Sequence, residues 1–279
     1  MRVDADESKG PPAVGCADTK GRAVSDLFSI KGKIAVVTGG SRGIGLMIAR
    51  GLVQAGARVY ISSCKAGVCD EVAAELSKAG ECFSIPADLG TTEGLDHLAA
   101  RLAEREPALH ILVNNAGATW GAPIEEYPDE AFDKIWAVNV KAIFHLTVKC
   151  LPLLRKAATP VDPARVVNIG SIDGIRVPYF ENYAYSASKA AVHMLTRHMA
   201  HSLNKDNITV NAIAPGLFPS KMTNFIFDQM GADQLGGGIP LGRVGQPDDV
   251  AGATIFLASR AGSYLTGAVI PVDGGVSTR

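Results

Sequence analysis

The stretch KIAVVTGGSRGIGLMIARGLVQAG, residues 33–56, decides the fold. It opens with a β-branched apolar run, passes through closely spaced glycines and continues with helical periodicity. A strand covered on both faces reads as continuous apolar sequence, without alternation, and KIAVVT (33–38) has that form. The turn TGGSRGIG, Thr38 to Gly45, leads into a helix with Gly56 placed as its cap. Gly39 permits a tight turn, Gly43 lets backbone approach a ligand, and Gly45 allows close helix–strand packing. Free N–H groups and the positive helix end would then face a diphosphate. Glycine turns after strands are common, so the specificity comes from context: strand before, helix after, first crossover.

The same rhythm runs outward. RVYISS (58–63), HILVNN (110–115), RVVNIG (165–170), NITVNAIA (207–214) and GAVIPV (267–272) read as strands, with CFSIPA (82–87) a weaker one. Helical stretches lie between them, including CDEVAAELSKAG (69–80), for which Gly80 is the expected cap. This alternation predicts an α/β fold: a single-domain, Rossmann-type, doubly wound parallel sheet with helices on both faces. The domain is expected over residues 29–279, after a polar, Gly- and Pro-rich N-terminal extension (1–28) expected to be mobile. Residues 215–246 break the rhythm. They are too rich in Gly and Pro for a core element and follow a strand, where ligands bind in such sheets, so they read as a substrate lid.

Composition narrows the function. With 279 residues, 47% of them hydrophobic, the chain can bury one large core. A net charge of −1 without a basic stripe argues against nucleic acid or an anionic membrane as partner. The five cysteines have no metal-type spacing, and His145, His193 and His198 sit in helical stretches without it, so no metal site is expected. Unpaired thiols, no apolar run of about 18–20 residues, and an acidic N-terminus without a leader pattern make the expected location cytoplasmic.

The turn spacing is G-x-x-x-G-x-G, and here the chain resembles the short-chain dehydrogenase/reductase family. Further motifs carry the resemblance from residue 30 to 275: NNAG (114–117), VNVKA (138–142), NIGS (168–171), YSASK (185–189), APG (214–216) and VDGG (272–275). A finer resemblance is to 3-oxoacyl-[acyl-carrier-protein] reductases of the rhamnolipid-pathway type, in wording such as LHILVNNAGATWGAPIEEYP and IAPGLFPSKMT. The resemblance implies a nicotinamide cofactor held by Gly39, Ser41, Arg42, Gly43, Ile44 and Gly45, by Asp88 and Leu89 in PADL, and by Asn115. It also implies that Gly216, Phe218 and Ser220 close over the nicotinamide. An acid at the end of the second strand would bind the ribose of NAD and repel a 2′-phosphate. Ser63 stands there instead, Lys65 follows, and Arg42 lies inside the turn, so NADP(H) is expected over NAD(H). Cys64 occupies the place of an arginine frequent in the NADP pattern.

ENYAYSASKAA (181–191) sets two tyrosines ahead of one lysine. Hydride delivery to a ketone creates an alkoxide that needs a proton. Lowering a tyrosine from near 10 by ~3 units requires about 4 kcal/mol of preferential phenolate stabilisation. A lysine one helical turn away can supply much of it. Tyr185 stands at that spacing from Lys189, whereas Tyr183 falls on another face and is expected to serve packing or a subunit contact. The resemblance adds Lys189 as ribose ligand, Ser171 as the hydrogen-bond partner of the substrate oxygen, and Asn139 as part of a proton relay. Asp173 and Arg176, in the loop after Ser171, are either substrate-facing or a surface turn, and Trp120, Tyr179 and Phe180 are placed as an apolar flank.

Carbonyl reduction or alcohol oxidation is therefore expected, on a 3-oxoacyl thioester, a polyketide-like ketone or a small secondary alcohol. Loss of Tyr185 or Lys189 would have favoured a catalytically silent regulator, and a longer C-terminal substrate region an epimerase or dehydratase. Surplus apolar faces on the helices after Asn139 and around Lys189 point to a homotetramer, with a dimer as the fallback.

Overall fold

A computed structural model of the chain describes residues 24–278. Seven strands, β1 (Ile34–Thr38), β2 (Arg58–Ser62), β3 (Cys82–Ser84), β4 (Ile111–Asn114), β5 (Ala164–Ile169), β6 (Ile208–Pro215) and β7 (Val269–Val272), form one sheet in the order β3-β2-β1-β4-β5-β6-β7. Every pairing is parallel. The central strands β1, β4, β5 and β6 are buried along their whole length, which is why they read as unbroken apolar runs. The expected strand at 82–87 is shorter than its sequence run, pairing with β2 only through Cys82, Phe83 and Ser84.

The helices are α1 (Val24–Leu27), α2 (Gly43–Gln54), α3 (Ala66–Leu76), α4 (Thr92–Arg105), α5 (Asp129–Trp136), α6 (Ala142–Ala157), α7 (Tyr183–Leu203), α8 (Asn224–Gly237) and α9 (Pro247–Ala258). Ile48 and Leu52 of α2, Cys69 and Leu76 of α3, and Val250 and Leu257 of α9 build the core on one face of the sheet. Leu98 and Leu102 of α4, Leu146 and Leu154 of α6, and Met199 of α7 build it on the other. Successive β1 residues divide between the two, Ala35 and Val37 on the first face and Ile34 and Val36 on the second.

Several local expectations change. The proposed extension is described only from Val24, where α1 begins; Phe28 lies 6.4 Å from the Phe256 ring, and the expectation for residues 1–23 falls outside the described residues. Gly56 does take the left-handed conformation of a cap, with φ 83°. Gly80 is not among the glycines of positive φ; it stays small because a Cβ would come within 2.9 Å of Val53. The Gly- and Pro-rich segment contains α8, broken at Gly231 (φ 72°, ψ 157°), with Ile226 of its first turn buried. A continuous helical run, Asp129–Ala157, is long enough to cross a bilayer, with mean hydropathy 1.4. Its apolar residues Ile143, Leu146, Cys150, Leu153 and Leu154 are built into the core of the domain.

The chain leaves β1 toward β2 and β3 in one direction and later fills the sheet from β4 in the other. The crevice beyond the carboxyl ends of β1 and β4 is thus the topological switch point, where open α/β sheets bind ligands.

Candidate active site

At that crevice, Thr38 ties the two strand ends together. Its hydroxyl accepts from the backbone N–H groups of Asn115 (2.9 Å) and Ala116 (3.0 Å) and donates to the Val113 carbonyl (3.3 Å). The Asn115 amide donates to Thr38 O (2.8 Å) and Gly39 O (3.3 Å). Gly39 and Gly43 both have positive φ, 64° and 54°. A Cβ on Gly45 would lie 2.3 Å from Gly39 O, so a side chain there would break the contact between turn and helix. The turn therefore keeps backbone exposed along the floor of a groove of about 770 Å³ that runs over the strand ends.

Gly39, Ser41, Arg42, Gly43, Ile44, Gly45, Ser63, Lys65, Leu89 and Asn115 all line this groove, as do Gly216, Phe218 and Ser220 from the segment after β6. Asp88 does not. Its carboxylate accepts from Gly90 N–H (3.0 Å), shaping the turn, and Ala87 and Leu89 on either side reach the groove instead. Its removal leaves the groove lining, among the described residues, with Arg42, Lys65, Lys134, Lys189 and Lys221 and no carboxylate. Near the β2 end, the buried Ser62 hydroxyl has no hydrogen-bond partner among the described residues. A groove of that charge with exposed backbone at a helix start accommodates an extended anionic ligand.

Tyr185, Lys189 and Ser171 meet at the other end of the groove. The Lys189 ammonium, buried, donates to Ile169 O at 2.8 Å and sits 5.4 Å from the centre of the Tyr185 ring. Ser171 is separated from β5 by one residue; its hydroxyl accepts from Asp173 N–H at 3.1 Å and favours the ionised form of the nearby Tyr185 phenol. Burial pushes Tyr185 up to about 12, with Ser171 opposing, and pushes Lys189 down to about 8, with Asp173 opposing. The Tyr185 direction reverses the one expected from its pairing with Lys189. Desolvation is the largest cause, and the Lys189 ammonium is engaged with the Ile169 carbonyl. Tyr183 points elsewhere: its hydroxyl donates to Glu181 (3.0 Å) and its ring meets Tyr127 edge-on at 5.7 Å.

Asn139 lies fully buried behind this end, in a π-helical turn, Ala137–Lys141, between α5 and α6. Such turns recur at functional sites because they shift side chains out of helical register. Its amide is clamped by Ala118 N–H (2.8 Å), Ala118 O (3.0 Å) and the Ser188 hydroxyl (2.9 Å). A Cβ on Gly117 would lie 3.3 Å from Asn139 Oδ1 and 3.8 Å from Lys189 Nζ, so that glycine separates the two groups. Ser188 was not singled out in the sequence, although it lies inside YSASK, the segment carrying Tyr185 and Lys189. His193 of α7, for which the sequence shows only the absence of metal-type spacing, is also buried. Its ring lies between Gly170 and Gly174, which flank the Ser171 segment.

In the segment after β6, Phe218 is buried, and a Cβ on Gly245 would collide with its ring. Thr223 gathers the turn by donating to Phe218 O at 2.8 Å and accepting from Ser220 N–H at 3.0 Å. Trp120, Tyr179 and Phe180 are exposed, and the Arg176 guanidinium lies 4.7 Å over the Tyr179 ring.

A family model described as Enoyl-(Acyl carrier protein) reductase matches residues 39–277. The chain belongs to the short-chain dehydrogenase/reductase family. This short-chain dehydrogenase/reductase is 49% identical over 249 residues to the rhamnolipids biosynthesis 3-oxoacyl-[acyl-carrier-protein] reductase of Pseudomonas aeruginosa, covering 89% of this chain and 97% of the relative. It is 36% identical over 274 residues to the short-chain dehydrogenase/reductase PhomF of Diaporthe leptostromiformis, covering 90% and 93%. Its fold is similar to the Pseudomonas aeruginosa RhlG/NADP active-site complex, with a TM-score of 0.87 at 48% identity over 90% of this chain and 99% of that one. The family's nicotinamide dinucleotide fits the groove: the glycine turn leaves backbone bare, cations line the walls, and the Ser62 hydroxyl awaits a partner.

Proposed function

We propose that this enzyme is an NADP(H)-dependent carbonyl reductase, acting on a ketone such as that of a 3-oxoacyl thioester or a comparable secondary-metabolite ketone. The observation that carries the reading is the meeting of Ser171, Tyr185 and Lys189 at one end of a groove lined, among the described residues, by cations and no carboxylate. The 49% identical rhamnolipid-pathway relative and the NADP complex of similar fold support it.

Bound NADPH supplies a hydride from its nicotinamide ring. The glycine turn from Gly39 to Gly45 holds the diphosphate, Arg42 and Lys65 hold the 2′-phosphate, and Asn115, Leu89, Gly216, Phe218 and Ser220 shape the walls. Lys189 binds ribose and fixes the geometry. Ser171 holds the substrate oxygen, and the Tyr185 phenol donates a proton as that oxygen gains charge. Burial favours the protonated form of Tyr185, the form reduction needs. The clamped Asn139 sets a water that returns a proton through Lys189, across the gap marked by Gly117. The test is NADPH oxidation over a panel of 3-oxoacyl thioesters and bulky ketones. Turnover with NADPH and much weaker use of NADH is expected, while tight NADPH binding with no ketone reduced would contradict the reading.

The enzyme is also assigned as a cytosolic homotetramer. Phe132 and Trp136 of α5, Phe144 and Val148 of α6, and Met194 of α7 are exposed apolar residues that a partner copy would cover, and the unpaired thiols fit a reducing compartment. Size-exclusion chromatography with light scattering should give four chains; a monomer would refute the assembly.

A further inference from the structure

We propose that Asp173 is a positioning residue that keeps the Tyr185–Lys189 pair loaded with its proton, and thereby sets the alkaline limit of carbonyl reduction. The inference rests on the reading of Tyr185 as proton donor and assigns it a regulator of charge.

Asp173 lies in a single 3-10 turn, Ile172–Gly174, between Ser171 and the loop that leads to α7. That turn sits directly on the α7 backbone: a Cβ on Gly174 would lie 2.6 Å from the Lys189 carbonyl carbon and 2.7 Å from Ala190 N. Asp173 N–H donates to the Ser171 hydroxyl at 3.1 Å, and Ser171 lines the groove beside Tyr185 and Lys189. Its carboxylate is fixed from the far side, Oδ2 accepting from the Asn182 amide at 3.3 Å. Asn182 is itself buried and immediately precedes α7. The acid is therefore held beside the pair by elements on both sides of it.

The charged and titratable groups around it are few. From α7 come Tyr185, Lys189 and His193, with Arg197 acting on His193; Arg176 comes from Asp173's own loop. The β6 strand behind them, ITVNAIAP, carries no ionisable side chain. Burial raises the Asp173 carboxyl, while Asn182, Arg176 and Lys189 favour its ionised form. In turn Asp173 acts on both members of the pair, favouring protonated Tyr185 and protonated Lys189.

That double action makes the sign independent of which residue ionises first. Coupled groups lose protons in steps that belong to the pair. The first loss takes the pair from one positive charge to none, whether the proton leaves phenol or ammonium. A neighbouring anion favours the positive state and raises that step. Reduction needs the proton in place, so removing the Asp173 charge must bring its alkaline fall to lower pH.

The test is the pH profile of kcat/KM for ketone reduction with NADPH, for wild type, Asp173→Asn, Asp173→Ser and Asp173→Glu. The position of the alkaline limb is read separately from the plateau, since the plateau also reports the placement of Ser171. Both neutral variants should fall off about one pH unit earlier, losing about tenfold in kcat/KM above the limb, with Glu restoring part of the shift. A turnover-free readout is the alkaline phenolate absorbance of each variant minus that of its Tyr185→Phe counterpart, whose midpoint should move the same way. Variants that bind NADPH normally yet leave both limb and midpoint in place would overturn the inference. If Tyr185→Phe itself still reduces ketone, the proton-donor reading falls and this one with it. If Tyr185→Phe is inactive and the limb is unmoved, only the role of Asp173 falls.

Discussion

Lys189 Nζ lies 5.4 Å from the centre of the Tyr185 ring and donates its short hydrogen bond elsewhere, to the Ile169 carbonyl at 2.8 Å. One turn of α7 brings the two side chains together, but the lysine meets the ring and β5, and it is Ser171 that favours the ionised phenol. Lys189 is thus braced against the sheet, ready to hold a ligand, and Tyr185 keeps its proton.

Replacing Lys189 by Met removes that brace and leaves the Ile169 carbonyl without its buried donor. NADPH affinity should fall about tenfold, the cost of one charge-assisted contact, and kcat by at least about 100-fold, the usual yield of proton-transfer catalysis. Fluorescence titration of NADPH and steady-state kinetics separate the two effects.

The cofactor preference resides at the β2 end. Ser63→Asp places a carboxylate in a groove that has none among the described residues, so Kd for NADPH should rise at least about tenfold while NADH binding improves. Lys65→Ala should weaken NADPH alone, by about 1 kcal/mol, because an exposed ammonium is screened by solvent. Parallel titrations with NADPH and NADH check both.

Asn139→Ala takes the partner from Ala118 N–H and Ala118 O in the half-buried groove wall and leaves the Ser188 hydroxyl only its bond to Tyr185 O at 2.7 Å. A loss of about 2–4 kcal/mol in unfolding free energy is expected, together with loss of turnover. Ser188→Ala removes one of those contacts and should cost about 1 kcal/mol. Urea titration measures the difference.

His193 is buried and held neutral, pushed down to about 4 from an ordinary 6.5 by desolvation and then by Lys189. A folded value below the unfolded one gives stability that is complete above pH 6.5 and lost as pH falls toward about 4. His193 should therefore cost the protein about 2 kcal/mol by about pH 5. His193→Leu, similar in volume and without the unpartnered Nε2, should remove that part of the acid sensitivity. Urea unfolding at neutral and mildly acidic pH, for wild type and variant, reads it.

Much of this organisation is written locally. Ile34–Thr38 and Ala164–Ile169 are covered by helices on both faces, so continuous apolar sequence marks them without reference to distant residues. Gly45 announces itself because a side chain would collide with the carbonyl of Gly39, a few residues away. What the sequence hides depends on packing. Asp88 matches its motif, yet its carboxylate is used by Gly90 and does not line the groove. The break in α8 at Gly231 let a glycine-rich segment become helical, against its composition. The spacing of Tyr185 and Lys189 places them together, but burial, which spacing does not encode, sets the direction in which each titrates.

The central claim is that Tyr185 gives the proton in carbonyl reduction. Tyr185→Phe removes the phenol hydroxyl and little else, so NADPH affinity should stay within about twofold while kcat falls at least about 1,000-fold. Single-turnover NADPH oxidation with a reducible ketone, at matched occupancy, is the measurement. A Phe variant that oxidises NADPH within about tenfold of wild type would contradict the account.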